Sequence, residues 1–367
     1  MSSSLGRKDI RLVAAVAIIV IVIGAIFAYY YYSSTSTVMS STSSTIISET
    51  STSSASTPLI LYSADAYVAE SSVLESAFTS GTGIGMSPPK AAGSLLLARQ
   101  ISQGNPVSVF ISVARPAVEP LYLGNESSGW AIAFATDQMS LAYSNASLQN
   151  SAANSTVNAY NSAVASNTTQ GWNNFFSLLS SGSVKVGFGN PNADPAGYRG
   201  WIVLEAAGQA YAQNSSFFAS RVVSNGGNVT GASAADLVGP LETAQIQFLF
   251  IYKSAAIAHK LNYLQLPAQV NLGSSKYSKF YSEFSYKISS GVQKGGLIAL
   301  YITVPKDSTD TVDSLQFVVF VVKQSPTLLL PFGLVPMTPA RLYNSTTVPQ
   351  PLQELVTDGF LQLSGSL

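Results

Sequence analysis

A stretch near the middle of the chain does most to limit its fold: Val186-Gly187-Phe188-Gly189-Asn190-Pro191-Asn192-Ala193-Asp194-Pro195-Ala196-Gly197-Tyr198-Arg199. The apolar run from Val184 to Phe188 reads as a buried strand, and the Gly, Asn and Pro residues after it read as a tight loop. A helical spacing then begins near Tyr198. Strand, tight loop and helix form the repeating unit of an α/β sheet. The same geometry aims free backbone N–H groups and the positive end of a helix dipole at the loop, which suits an anion.

The alternation recurs along the chain. Leu59 to Tyr62, Val107 to Val113, Met139 to Tyr143, Gln247 to Tyr252 and Leu297 to Val304 read as strands. Helical spacing covers Ala66 to Thr79, a segment opening at Gly93-Ser94, Tyr198 to Gln213, Ala235 to Thr243 and Thr311 to Lys323. The Val and Phe content of Thr311 to Lys323 also permits a strand. Asn145 to Thr169 reads as a polar insertion or a weak helix. Mainly parallel sheets follow, with ligands expected off the carboxyl ends of the strands.

Composition removes several function classes. Charged residues make up only 10 % of the 367 residues and their signs cancel, so no basic surface exists to hold a nucleic acid. The absence of cysteine excludes disulfides, thiolate metal sites and thiol catalysis. His259 is the sole histidine and reads as an exposed helical residue beside Lys260; no His-rich zinc site can be built. Trp130, Trp172 and Trp201 read as core or cleft-wall residues.

The N-terminal segment predicts an export route. Residues 1–11 carry Arg7, Lys8 and Arg11 and read as a cytoplasmic N-terminus. Residues 12–32 are apolar and long enough, at roughly 20 residues, for a transmembrane anchor or an uncleaved signal, with a cleaved signal peptide as the other reading. Residues 33–57 form a Ser/Thr-rich, disordered stalk. The expectation is a single-pass membrane protein whose binding domain, 58–367, lies outside the cell and is monomeric. Sequons at Asn125, Asn145, Asn154, Asn167, Asn214, Asn228 and Asn344 fit an exported glycoprotein.

From about Leu59 to Val356 the order of motifs resembles archaeal tungstate/molybdate-binding proteins of ABC importers, members of the periplasmic-binding-protein superfamily with type II topology. Ala91-Ala92-Gly93-Ser94 is similar to a family loop whose serine donates to the oxyanion at a helix start. Asn190 to Arg199 resembles the family's Asn-Pro-Asn-(Asp/Ala)-Asp-Pro-Cys-Gly-Tyr-Arg loop, with Ala196 in place of cysteine. Phe250-Ile251-Tyr252-Lys253-Ser254-Ala255-Ala256 resembles a strand-to-helix segment whose tyrosine reaches the ligand. Tyr301 to Lys306 matches the returning strand, and Pro336 to Pro339 the C-terminal proline turn.

The resemblance implies a two-lobed α/β fold, with lobe 1 at about 58–134 and 306–367 and lobe 2 at about 135–305. It implies capture of tungstate or molybdate, no cofactor, and delivery to an ABC permease with its ATPase. The implied oxyanion-binding residues are Ser63, Gly93, Ser94, Asp194, Ala196 and Tyr252, with Asp65 and Asp236 as further candidates. Two departures matter. The family's His-Ala-Gly-Ser loop reads Ser63-Ala64-Asp65-Ala66 here, and a carboxylate used by some archaeal members falls at Ser233-Ala234-Ala235. Asp194 carries two readings, direct ligation of the tungsten or molybdenum centre and N-capping of the following helix. Other readings are another tetrahedral oxyanion such as sulfate or phosphate, a surface glycoprotein that does not transport, and a hydrolase using Asp194 and Glu242.

Overall fold

A computed structural model of the protein describes residues 57–367. Leu12 to Tyr32 and nearly all of the Ser/Thr stalk lie outside the described residues. Among the described residues no helix is long and apolar enough to cross a membrane. This corrects the expected fold class, membrane partnership and single-pass location to what the described residues show, an α/β body in which no helix is long and apolar enough to span a membrane.

The strands run in chain order as β1 Leu59–Ala64, β2 Met86–Ala92, β3 Val109–Ser112, β4 Trp130–Thr136, β5 Met139–Tyr143, β6 Val186–Gly189 and β7 Asn228–Gly231. They continue as β8 Phe248–Tyr252, β9 Asn262–Gln265, β10 Ser285–Ile288, β11 Gly291–Lys294, β12 Ala299–Thr303, β13 Val335–Asn344 and β14 Leu361–Leu363. One sheet has the order β14-β13-β4-β12-β3-β1-β2, the other β7-β6-β8-β5-β9, and β10 and β11 form a hairpin. Both sheets follow one plan. β1 pairs in parallel with β2 and β3, as β6 does with β7 and β8. The strand arriving from the other sheet then enters antiparallel, β12 beside β3 and β5 beside β8. Two lobes joined by two crossings result, one at Asp137-Gln138 and the other just before β12. Ala299–Thr303 belongs to the first sheet, which moves it out of the 135–305 range expected for lobe 2.

The strands alternate with helices because each buries both faces. β3, β4, β6, β8 and β12 are almost continuously buried, the pattern of sheets covered by helices on both sides. The helix Pro195–Ala212 is buried along nearly its whole first three turns. Trp201 on it stacks on Phe188 of β6 at 4.2 Å between ring centroids, fixing the helix over the strand that precedes it. Thr311–Leu328 is a helix, not a strand: Asp310 caps it by accepting from Asp313 N–H at 3.0 Å, and Phe317 and Phe320 pack edge-on to Phe78. Asn145 to Thr169 resolves into the Ser151–Ser166 helix, capped by Asn150.

Candidate functional site: the cleft between the lobes

The carboxyl ends of the strands in the two sheets face each other across a cleft in which the lobes touch. Gly93 lies so close to the 190–194 loop that a Cβ there would collide with the carbonyl oxygen of Ala193. Arg99 Nη2 donates to Asn192 O at 2.9 Å, and Asn192 Oδ1 accepts from Ser289 N–H at 2.7 Å. Tyr122 and Ser290 join the hydroxyls of the first lobe and the hairpin.

Asp194 is buried at the centre of this contact. It caps the Pro195–Ala212 helix, Oδ1 accepting from Ala196 N–H at 2.9 Å. Its Oδ2 accepts from Ala234 N–H at 2.8 Å, so one carboxylate joins two helix starts forty residues apart in sequence. Gly189 makes room for it, since a Cβ there would meet Asp194 Oδ2. Burial, and then the negative charge of Asp65, push the Asp194 carboxyl up to about 7 against the pull of those N–H groups. Asp65 approaches from the first lobe; burial raises its carboxyl too, against the Ser233 hydroxyl and Ala66 N–H, with Asp236 adding to the rise. Asp236 is exposed and accepts from Ser233 N–H at 2.9 Å and Ser233 Oγ at 3.1 Å.

The hydroxyls differ in what they leave free. Ser63 is fully buried and bonds Ser71 Oγ at 2.7 Å and Ala64 O at 3.2 Å, both within the first lobe. Ser94 opens its helix behind Gly93 and does not cap it; its Oγ accepts from Val113 N–H at 3.1 Å. Tyr252, at the end of β8, accepts at Oη from Arg199 Nη1 at 2.6 Å. Arg199 Nη2 reaches across to Val113 O at 2.7 Å. Arg199 is 8 % exposed, lies 5.6 Å from the Tyr198 and Tyr252 ring centroids, and has no carboxylate within ion-pairing distance among the described residues.

The structure therefore gathers Gly93, Ser94, Asp194, Ala196, Tyr252 and Asp65 around one cleft, and engages the Ser63 hydroxyl with Ser71 and the Ala64 carbonyl. Arg199, Val113, Tyr67 and Asp137 were not assigned by the sequence. The available signal was Arg199 itself, the sole basic residue of a largely buried helix. Asp137, in the first crossing, accepts from Tyr67 Oη at 3.0 Å, Ser254 Oγ at 2.6 Å and Gln138 N–H at 2.7 Å. Glu242 and His259 are exposed, whereas Trp130, Trp172 and Trp201 are buried. Asn125, Asn145, Asn154, Asn167 and Asn214 are exposed; Asn228 and Asn344 are half-buried within β7 and β13. Among the described residues no group of three His, Asp or Glu side chains is placed to hold a metal ion.

The family model for bacterial extracellular solute-binding proteins matches residues 62–326, which take in the second sheet, the first sheet apart from β13 and β14, and the cleft. The chain belongs to that family. This solute-binding protein is 37 % identical over 321 residues to an uncharacterized solute-binding protein of Sulfurisphaera tokodaii, covering 85 % of this chain and 84 % of the other. It is 35 % identical over 323 residues to an uncharacterized solute-binding protein of Saccharolobus solfataricus, covering 85 % and 79 %. Its fold matches the periplasmic molybdate-binding protein of Azotobacter vinelandii with a TM-score of 0.54 at 16 % identity, over 76 % of this chain and 98 % of that one. The protein is a two-lobed solute-binding protein whose fold is like that of a periplasmic binding protein.

Proposed function

We propose that this solute-binding protein captures a small oxyanion between its lobes, with tungstate or molybdate as the preferred cargo, for delivery to an ABC permease and its ATPase. The observation that carries this reading is Arg199: a buried guanidinium at the lobe contact with no carboxylate within ion-pairing distance among the described residues. A buried cation is costly without a counter-charge, and an anion entering the cleft provides one. Ser94, Asp194, Ala196 and Tyr252 line the proposed site, with Gly93 allowing the close approach. Lobe closure would exclude water and strengthen each bond to the anion.

The choice among anions turns on Asp194. Its oxygens already hold the N–H groups of Ala196 and Ala234, the position an anion would take at two helix starts. A tungsten or molybdenum centre can accept a carboxylate oxygen as an added ligand, which turns a repulsive neighbour into a bonding one. Sulfur and phosphorus in sulfate and phosphate do not expand in that way. Asp65, facing Asp194 from the other lobe, takes the place of the carboxylate missing at Ala234.

Thermal unfolding with each anion tests the reading. An anion at 100 times its Kd adds about 2.7 kcal/mol of stability. Tungstate and molybdate are expected to raise the melting temperature well above sulfate and phosphate at equal concentration. No shift with any of the four defeats the oxyanion reading, and a shift with sulfate alone defeats the tungstate/molybdate preference.

A further inference from the structure

On the first lobe the helix Val68–Thr82 packs against β2, the outer strand of its sheet. An open groove of about 470 Å³ runs between them. Glu75, Ser72, Ser76 and Thr79 line its helix side, and Met86 and Pro88 line its strand side. The groove shares no residue with the cleft between the lobes.

Glu75 is 8 % exposed, and its Oε1 has no hydrogen-bond partner among the described residues. No Lys, Arg or His lies within ion-pairing distance of it there. The charged groups on neighbouring elements are engaged elsewhere. Lys90 of β2 lies over the Tyr62 ring, and Lys323 of the Thr311–Leu328 helix lies over the Phe360 ring. Asp313 of that helix accepts from Gln316 Nε2 at 2.9 Å. Ahead of Glu75 in the chain, Asp65 faces Asp194, while Tyr67 and Glu70 face Asp137. Burial, and none of these charges, pushes the Glu75 carboxyl up to about 7. A carboxylate withdrawn from water without a donor or counter-charge is costly, and a cation in the groove would supply both.

The lining narrows the kind of cation. One carboxylate among neutral hydroxyls suits a single positive charge, whereas calcium and magnesium gather more oxygen ligands. Serine and threonine oxygens accept hydrogen bonds, and a primary ammonium group donates three. A quaternary ammonium donates none and is held by aromatic faces, which are absent from this lining among the described residues. Met86 and Pro88 offer apolar surface to a short carbon chain. Pro88 and Pro89 have no N–H, which makes the edge of β2 a poor template for an added strand and favours a small molecule.

We propose that this groove is a second binding site, which takes a primary ammonium compound with a short apolar chain, the ammonium group on Glu75 and the chain along Met86 and Pro88. The site does not depend on the oxyanion reading of the cleft.

Ligand-observed NMR titration of the full chain with butylammonium tests this, in potassium buffer so that an inorganic cation competes throughout. Butylammonium is expected to bind about ten-fold more tightly at about pH 8 than at about pH 6, the ratio of ionised Glu75 for a carboxyl titrating at about 7. Butanol lacks the charge and tetramethylammonium lacks the donors; each is expected to bind at least about ten-fold more weakly at the higher pH. Glu75→Gln keeps the side chain's volume and is expected to weaken butylammonium by about ten-fold and to remove the pH dependence. Saturating tungstate is expected to leave butylammonium binding unchanged. Affinity that ignores pH, that is matched by butanol, or that survives in folded Glu75→Gln overturns the proposal. Displacement by tungstate overturns it too, by moving the ammonium into the cleft. The pH comparison needs no variant and decides the matter if Glu75→Gln does not fold.

Discussion

Asp194 shows how much a single side chain can hold. Its position after a loop and before Pro195 is a helix-start pattern, and the capping bond to Ala196 was readable from it. The bond to Ala234 was not readable, because β7 must first bring residue 234 alongside β6. Asp194→Ala strips both N–H groups of their acceptor inside a buried contact. A loss of about 2 kcal/mol follows from one lost cap and one lost buried bond. Urea unfolding at constant slope measures it, and an unchanged midpoint would remove the clamp. Tungstate affinity of the same variant separates ligation from capping: affinity equal to wild type leaves Asp194 a cap and nothing more.

Elements with the clearest period were the most legible. Met139–Tyr143 begins and ends where the sequence pattern places it, and Ser94 opens its helix as read. Two of the segments not recognised, β2 and β13, carry proline inside a strand. β2 carries Pro88 and Pro89, tolerated because β2 is the outer strand of its sheet. β13 carries Pro336 and Pro339 in a stretch where its register against β4 shifts, between Pro336 and Arg341. Its sequence reads as a turn, and only pairing with β4 and β14 makes it a strand. Element contact also sets what Gly93 must be. In Gly93→Ala the new methyl group would strike the Ala193 carbonyl in the opposite lobe, a rigid backbone atom. The lobes must then part while each keeps its own fold. Small-angle scattering should show a larger radius for the variant, with tungstate affinity lowered and secondary structure unchanged. An unaltered radius would mean the contact yields elsewhere.

At the scale of the whole molecule the first crossing between lobes is a buried acidic knot. Asp137 takes hydrogen bonds from Tyr67 of the first lobe and Ser254 of the second, tying both to the crossing strand. Glu70 lies beside it, 1 % exposed, with neither carboxyl oxygen bonded among the described residues. Burial, with the Asp137 charge adding to it, pushes Glu70 up to about 7; burial pushes Asp137 up to about 6 against its three hydrogen bonds. A carboxyl raised on folding holds its proton more tightly in the folded chain. Between about pH 4 and 7 the folded protein therefore binds more protons than the unfolded one, and stability falls as pH rises, levelling above that window. For Glu70 alone the loss is roughly 3 kcal/mol. Urea midpoints at pH 5 and pH 8 should show it, and Glu70→Gln should be more stable at pH 8 with a flatter pH profile. A variant with the wild-type profile would place the pH dependence outside this crossing.

The sequence by itself determined the alternating α/β architecture, the strand-loop-helix unit around Asp194 and the loop at Gly93-Ser94. These are local patterns, set by side-chain period, turn chemistry and capping within a few residues. Tertiary structure decided the rest. It assigned Ala299–Thr303 to the first sheet, bonded Ser63 to Ser71, and drew Asp65 against Asp194. It also made Arg199 the link between Tyr252 and Val113. The physical reason is distance along the chain: which donors meet which acceptors across two lobes depends on how both sheets close on each other, and no local period encodes that.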